Sequence, residues 1–319
     1  MKILVCCNSD LLAFPTILQL KKMGVLVGVC IPEKSKRFLL PPLEMMDLNV
    51  ELICLSRNSW VNTIENFLKN NQVDSVWVLT FPWFFPKSVL ELLDYGFVNF
   101  HFGLLPQYKG NDPIFWQFKN KEVNGGVTIH YINEDIDEGP VILQEKIPII
   151  PGETYGLHSQ RLGLHNTTLI NKVIRKQVAE EFSSLVLEFD GIVYSKKPDE
   201  KDLIIDWENQ TSDDIEYLVN ASNPKYGGAK TTINGLELFI LEVAPVDMEQ
   251  KIIANPGQII HADAIYGLIV YCSDDRCIRI TVTHTREGFL SGVKLFNMGI
   301  RTGNAFGRPV DRLETIDLI

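Results

Sequence analysis

Five short apolar runs punctuate the first hundred residues: Lys2–Cys7, Val25–Ile31, Val50–Leu55, Ser75–Thr80 and Phe97–Phe102. Runs that are apolar on both alternating faces suit strands covered on both sides. The segments between them read as helices. Leu11–Met23 has helical spacing and stops at Gly24, Ser59 is placed to cap a helix running to Asn70, and Pro86–Leu93 fits a short helix. Strand and helix alternating in this way imply an α/β fold, a Rossmann-like, doubly wound and mostly parallel sheet. In such sheets ligands gather beyond the strand carboxyl ends. The loop after the first strand, Cys7-Asn-Ser-Asp-Leu11, lacks the GxGxxG fingerprint, which argues against a nicotinamide dehydrogenase.

Further along, Pro113 favours a helix start that runs to Asn120, and Asn124-Gly-Gly126 makes a turn. Strands Val127–Ile132 and Val141–Ile149 flank an acidic loop, 133–139, and a long helix is predicted over Tyr155–Phe182. The charged, proline-containing stretch Lys196–Lys201 reads as a linker, which divides the chain into domains 1–195 and 196–319. Beyond it, one helix (Ser212–Ala221) precedes strands at Thr231–Ile233, Glu237–Val243, Gly257–His261, Gly267–Cys272 and Cys277–Thr283. That pattern predicts a small OB-like β-barrel.

The chain has 319 residues and a net charge of −10, which speaks against an extended phosphate-binding surface. The best candidate for a local basic patch, Lys34, Lys36 and Arg37 in Glu33–Arg37, reads as a solvated loop. No apolar run approaches the ~18 residues of a membrane span. The start, Met1–Cys7, reads as a strand and not as a signal peptide. Cys6, Cys7, Cys30, Cys54, Cys272 and Cys277 lie mostly in strand-like runs without a CxxC pair, which points to buried free thiols in a reduced, cytoplasmic protein with no metal. His158 and His165, seven apart on the long helix, are expected at the surface, and His261 and His284 lie in no recognisable pattern.

Chemistry concentrates in Phe97-Val-Asn-Phe-His-Phe-Gly-Leu-Leu-Pro106. Strand alternation points Asn99 and His101 to one face. The later Asp135-Ile-Asp-Glu-Gly139 supplies a carboxylate able to orient that imidazole. An amide, an imidazole and a carboxylate together can polarise a carbonyl, move a proton and hold a tetrahedral oxyanion, as acyl transfer to an amine requires.

These residues resemble the formyltransferase family that uses 10-formyltetrahydrofolate, whose members act on methionyl-tRNA, glycinamide ribonucleotide and amino sugars. Asn99-Phe-His101 with Gly103-Leu-Leu-Pro-Gln-Tyr-Lys-Gly110 is similar to its first signature. Gly126-Val-Thr-Ile-His130 through Asp137-Glu-Gly-Pro-Val-Ile-Leu-Gln144 is similar to its second. Ile205-Asp-Trp207 and Gly227-Gly-Ala-Lys-Thr231 resemble the start of the C-terminal domain of the methionyl-tRNA enzymes. The resemblance implies a catalytic trio of Asn99, His101 and Asp137, its Asp-x-Gly pattern selecting Asp137 over Asp135. His101 would take the amine proton, Asp137 would fix its tautomer and steady the imidazolium, and Asn99 would donate to the oxyanion. It also implies a folate pocket lined by Phe81, Trp83, Phe84, Phe85, Leu104, Leu105 and the stretch holding Asp135 and Ile136. For the aromatic residues, ordinary core packing is an equal reading, and His130 fits either a folate contact or a satisfied strand histidine. Gly103 departs from the family's usual Ser, Lys109 from Arg and Asn220 from Arg. The acidic charge and the lack of a long basic insertion favour a small-molecule amine as acceptor over tRNA. A nucleotide amino sugar comes first and an amino acid or peptide-derived amine second. Formylation of methionyl-tRNA is the alternative, and a catalytically silent folate-binding module is the reading from another class. No membrane partner is expected, and a homodimer is compatible.

Overall fold

The computed structural model describes residues 1–94, 96–183, 194–248 and 252–309. The chain divides into two compact units. The first comprises Met1–Ile114, Val123–Ile149 and Leu157–Lys196. The second comprises Phe115–Glu122, Ile150–Gly156 and the chain from Lys197.

In the first unit, strands β1 (Ile3–Cys7), β2 (Leu26–Pro32), β3 (Glu51–Leu55), β4 (Ser75–Leu79) and β5 (Phe97–His101) are parallel. After β6 (Lys109–Gly110) come β7 (Asn124–Tyr131) and β8 (Val141–Pro148), which extend the sheet antiparallel, in the order β3-β2-β1-β4-β5-β7-β8. β6 pairs separately with β9 (Tyr194–Ser195). Helices α1 (Asp10–Lys22), α2 (Lys36–Met45), α3 (Trp60–Asn71), α4 (Lys87–Leu90) and α6 (Tyr155–Val178) complete the α/β part, whereas α5 (Pro113–Lys119) falls mostly in the second unit.

Alternation along the central strands sorts the core into two layers. Leu4, Cys6, Val76 and Val78 face Trp60, Ile64, Phe67 and Leu68 of α3 in one cluster. Trp77 points the other way, where its indole N–H donates to Gln177 of α6 at 3.0 Å and its ring meets Phe100 at 5.1 Å. β1 and β4 are buried at every position, which is why their sequences carry no polar face.

Four local readings change. Asn124-Gly-Gly126 is not a turn but the first part of β7, paired with Lys146–Pro148 of β8. The basic stretch at 33–37 is not a loop: Glu33–Ser35 form a 3-10 turn and Lys36 begins α2. Pro41 and Pro42 inside α2 hide it from a helix reading. Ser59 precedes α3 without a side-chain capping bond, whereas Ser9 accepts from the Leu12 N–H at the start of α1. His158 is fully buried, because α6 turns its 158, 162, 169 and 173 positions inward.

The second unit contains α7 (Ser212–Ser222) and a curled antiparallel sheet. Its strands are β10 (Ala229–Ile233), β11 (Leu236–Val246), β12 (Ile259–Asp263), β13 (Gly267–Tyr271), β14 (Cys277–Thr285), β15 (Gly288–Ser291) and β16 (Phe306–Gly307), with α8 (Gly292–Asn297) between the last two. The order is β12-β13-β14-β11-β10-β16, with β15 paired to β14. Hydrogen bonds from Phe306 N to Gly257 O and from Ile259 N to Asn304 O join the two ends of that order and curl the sheet on itself. Trp207 stacks on Phe306 at 5.3 Å and donates to Thr231 Oγ1 at 2.9 Å, filling the centre of this unit. Among the described residues, no helix is long and apolar enough to cross a membrane.

Gly163 of α6 lies against the carbonyl of Leu11 so closely that a Cβ would overlap the oxygen. Alanine favours a helix interior by about 1 kcal/mol over glycine. The clash is with backbone, which yields little, and overpacking costs about 1–3 kcal/mol. Gly163→Ala is therefore expected to lower the thermal unfolding midpoint despite its better helix propensity; a midpoint at or above that of the parent chain would contradict this packing.

Candidate active site

The site lies in the first unit at the carboxyl end of β5. Asn99 and His101 stand on one face of that strand, opposite His130 and Thr128 of β7 in the antiparallel register. Asp137 comes from the loop between β7 and β8. Gly139 makes this possible, because a Cβ there would strike the Tyr131 carbonyl, so only glycine lets the loop fold tightly onto the end of β7. Asp137 itself has φ +53, in the left-handed region that Asp tolerates better than most residues.

One Asp137 oxygen, Oδ2, accepts the Gly110 N–H at 2.8 Å and lies 3.4 Å from His101 Nδ1. The other, Oδ1, accepts from Asn99 Nδ2 at 3.3 Å and lies 3.4 Å from His130 Nε2. The His101 Nε2–H donates to the Tyr108 carbonyl at 2.9 Å. A carbonyl can only accept, so this contact places the neutral proton on Nε2 and leaves the Nδ1 lone pair facing Asp137. The tautomer is thus set by Tyr108, and the expected tautomer-fixing by Asp137 is replaced by a partner waiting for the second proton.

Asn99 also departs from a simple oxyanion donor. Its Nδ2 lies 3.2 Å from His130 Nε2, so both amide hydrogens are directed inward, one to His130 and one to Asp137. His130 Nδ1–H donates to the Tyr131 carbonyl at 2.8 Å, which frees Nε2 to accept from Asn99. His130 is therefore a fourth member of the cluster.

Residues 108–110 act largely through their backbone: the carbonyl of Tyr108 on His101 and the N–H of Gly110 on Asp137. Tyr108 has φ +60 and Gly110 φ +99, both left-handed, and a Cβ at Gly110 would press on the Ser195 carbonyl. The Lys109 ammonium donates to Glu138 Oε1 at 2.7 Å, tying this loop to that of Asp137. Behind the site, Thr128 donates to the Gly103 carbonyl at 2.7 Å, and Gln144 Nε2 donates to Leu105 O at 2.9 Å and to Thr128 Oγ1 at 2.8 Å. A Cβ at Gly103 would stand 2.8 Å from His101 Nε2, so the glycine gives the ring its room.

The residues expected around a pterin separate. Phe81, Trp83 and Phe85 form one aromatic cluster with Trp60, at centroid distances of 5.2–5.8 Å. Phe85 is buried in the core and meets Phe97 of β5 at 5.1 Å, while Phe81 and Trp83 are half-buried. Phe84 points to solvent, 72% exposed. Leu105 is buried, Leu104 is half-buried, and Asp135 and Ile136 are exposed on their loop. Among the described residues, no three His, Cys, Asp or Glu side chains are grouped to hold a metal ion.

Burial lowers the His101 pKa below its ordinary value against the opposing pull of the Asp137 charge, and His130 adds to the lowering. Burial would raise the Asp137 carboxyl, but the positive charge that His101 carries when protonated, the neighbouring His130 ring and the Gly110 N–H hydrogen bond overcome it and bring it down to about 2. At neutral pH the site holds a carboxylate beside an unprotonated Nδ1. An acid whose folded pKa is depressed contributes stability above its unfolded pKa, ~3.9, and loses it as pH falls through the folded one. The parent chain is thus expected to lose on the order of 2 kcal/mol between about pH 4 and pH 2 from this group alone. Denaturant titrations across that window should show a shallower fall for Asp137→Asn; an identical slope would mean that Asp137 is not held as a low-pKa carboxylate.

Residues 31–174 match the Formyl transferase family and residues 197–299 match the family described as Formyl transferase, C-terminal domain. The chain is 27% identical over 238 residues to the methionyl-tRNA formyltransferase of Fusobacterium nucleatum, covering 74% of this chain and 75% of that one. In fold it is similar to HypX from Aquifex aeolicus, solved with tetrahydrofolic acid, at TM-score 0.65 and 15% identity, covering 95% of this chain and about half (48%) of HypX. It is also similar to the N-formyltransferase of Helicobacter canadensis, solved with folinic acid and dTDP-3-aminofucose, at TM-score 0.62 and 20% identity, covering 88% of this chain and 98% of that one. With its sequence matching both formyl transferase domains, this chain belongs to the formyltransferase family and is a formyltransferase.

Proposed function

We propose that the chain moves a formyl group from 10-formyltetrahydrofolate to the primary amine of a small molecule, a nucleotide-linked amino sugar in the first instance. The carrying observation is the unprotonated His101 Nδ1 held 3.4 Å from an Asp137 carboxylate whose pKa is brought down to about 2. An amine that attacks a formyl carbon must shed a proton, and a neutral imidazole backed by a carboxylate is built to take one. The folate supplies the formyl group and departs as tetrahydrofolate once its bridging nitrogen is protonated. Half-buried Phe81 and Trp83 at the end of β4 offer the flat apolar wall a pterin needs, with Leu104 and the main chain of 133–137 completing the pocket; core-bound Phe85 supports that wall from behind.

In this reading His101 accepts the amine proton on Nδ1, and Asp137 steadies the imidazolium. Asn99 turns toward the developing oxyanion the N–H that otherwise lies 3.3 Å from Asp137, the longer of its two inward contacts. His130 holds the remaining N–H and keeps the amide facing the right way. The domains are taken as 1–195 for catalysis and 196–319 for the OB-like part, and the protein as cytoplasmic.

The net charge of −10 and the lack of a long basic insertion favour a small acceptor. A second reading, formylation of methionyl-tRNA, draws on the printed activity of the relative from Fusobacterium nucleatum and on the matched C-terminal domain. Incubation with 10-formyltetrahydrofolate and a panel of nucleotide amino sugars, amino acids, short peptides and methionyl-tRNA, read by mass spectrometry, separates the two. A formylated amino sugar supports the first reading, and efficient formylation of the tRNA overturns it. Asn99→Ala, His101→Ala and Asp137→Ala are each expected to lower kcat/KM by about 100-fold or more while leaving the fold intact. Near-normal turnover in His101→Ala would remove the assigned base. Folate binding without turnover of any amine would leave the chain a binding module.

A further inference from the structure

The second unit carries a cavity of about 710 Å³ that the formyl-transfer site does not use. It lies on the outer face of the curled sheet, where the register aligns His261, Ile269, Arg279 and Ala244 in one row across β12, β13, β14 and β11. Side chains at directly opposed positions share a face. Their neighbours in sequence, Leu268, Val270, Ile278 and Ile280, fill the core on the other side. The walls are mainly apolar, from Ala244, Val246, Ile260, Ile269 and the Tyr266 ring. Such a volume, with apolar walls and few polar groups, is that of a small-molecule site.

Arg279 stands in the middle of this row, half-buried, with no ion pair or hydrogen bond among the described residues. In the turn just before this strand Arg276 is held by Asp213 at 2.8 Å and Asp274 at 2.7 Å. Two residues from Arg279, on the same face of β14, the buried Thr281 hydroxyl also lacks a partner. The acids nearby do not answer Arg279. Asp263 is engaged by His261 at 2.9 Å and by the N–H groups of Ile265 and Tyr266. Asp247 is exposed at the rim and forms no ion pair with it.

We propose that this cavity binds an apolar or aromatic monoanion, its carboxylate or sulfonate on Arg279 and its body against Ile269, Val246 and Tyr266. A guanidinium on an apolar floor recognises an acid group by paired N–H donation. The rim carboxylate of Asp247 selects against a second negative charge. Neither argument depends on the acceptor chosen by the catalytic unit.

The probe is 8-anilinonaphthalene-1-sulfonate, titrated by fluorescence into the full chain with folinic acid in excess to keep the pterin site filled. N-phenyl-1-naphthylamine, which has a similar aromatic body without the sulfonate, is titrated in parallel. The chain is expected to bind one sulfonate probe, and Arg279→Gln to weaken it by about tenfold or more, as loss of a charged hydrogen bond implies. The neutral compound should bind the parent and Arg279→Gln chains alike. Ile269→Glu, which sets a carboxylate directly across from Arg279 on an outward position, should abolish sulfonate binding while thermal unfolding stays unchanged. Equal sulfonate affinity in the parent and both variants would overturn the proposal, as would complete loss of probe binding when folinic acid is added. Formylation by Arg279→Gln at the parent rate would show that failure here is separate from failure of the formyl-transfer reading.

Discussion

Asp137 is the group on which the site depends. Three elements converge on its two oxygens: β5 through Asn99 and His101, β7 through His130, and β6 through the Gly110 N–H. A carboxylate this buried is costly unless each lone pair is answered. Here the answers come from the groups that transfer chemistry would use. Satisfying the charge and assembling the site are therefore the same event. Removing any one partner does more than delete a side chain, because it leaves the carboxylate short of a contact and loosens the remainder.

The sheet supplies rigidity to that arrangement. β5 lies between β4, buried at every position, and β7, so Asn99 and His101 have little freedom of position. The left-handed residues Tyr108, Gly110, Asp112 and Asp137 sit in the loops that meet there. Backbone in that region persists where surrounding contacts over-determine it. The contacts are on view: the Lys109–Glu138 ion pair, the Thr128 and Gln144 bonds to residues 103 and 105, and the Gly139 approach to Tyr131.

Much of this was legible in the chain because it rests on periodicity. The parallel strands announced themselves as uninterrupted apolar runs, and the shared face of Asn99 and His101 followed from a period of two. What depends on backbone groups was not legible. The Tyr108 carbonyl and the Gly110 N–H are identical in every residue type, so no side chain betrays them. The Nε2 tautomer of His101 and the inward turn of the Asn99 amide follow from such contacts, so side-chain spacing carries no sign of them. His130 left an open choice because a strand histidine looks alike whether its ring meets a ligand or a neighbour. Helix α2 was hidden by its two prolines. His158 was placed at the surface, yet it shares the buried face of α6 with Leu162, Leu169 and Val173, while His165 stays partly exposed beside Glu145.

The aromatic run 81–85 shows where pattern reading stops. Four large rings or ring-bearing neighbours in five positions look like a ligand wall, yet Phe84 and Phe85 are adjacent and leave the chain in opposite directions, one into solvent and one into the core. Phe85 stacks against Phe81 and touches Phe97 at the foot of β5, while Trp83 rests on Trp60 beneath the Arg57 guanidinium. The cluster thus has a packing role and an exposed edge at once. Its packing couples the end of β4 to the strand that carries Asn99 and His101. A planar group resting on the half-buried faces of Phe81 and Trp83 would therefore be positioned by the same core contacts that fix Asn99 and His101, so an apolar wall and a polar cluster can keep a constant separation without any bond between them.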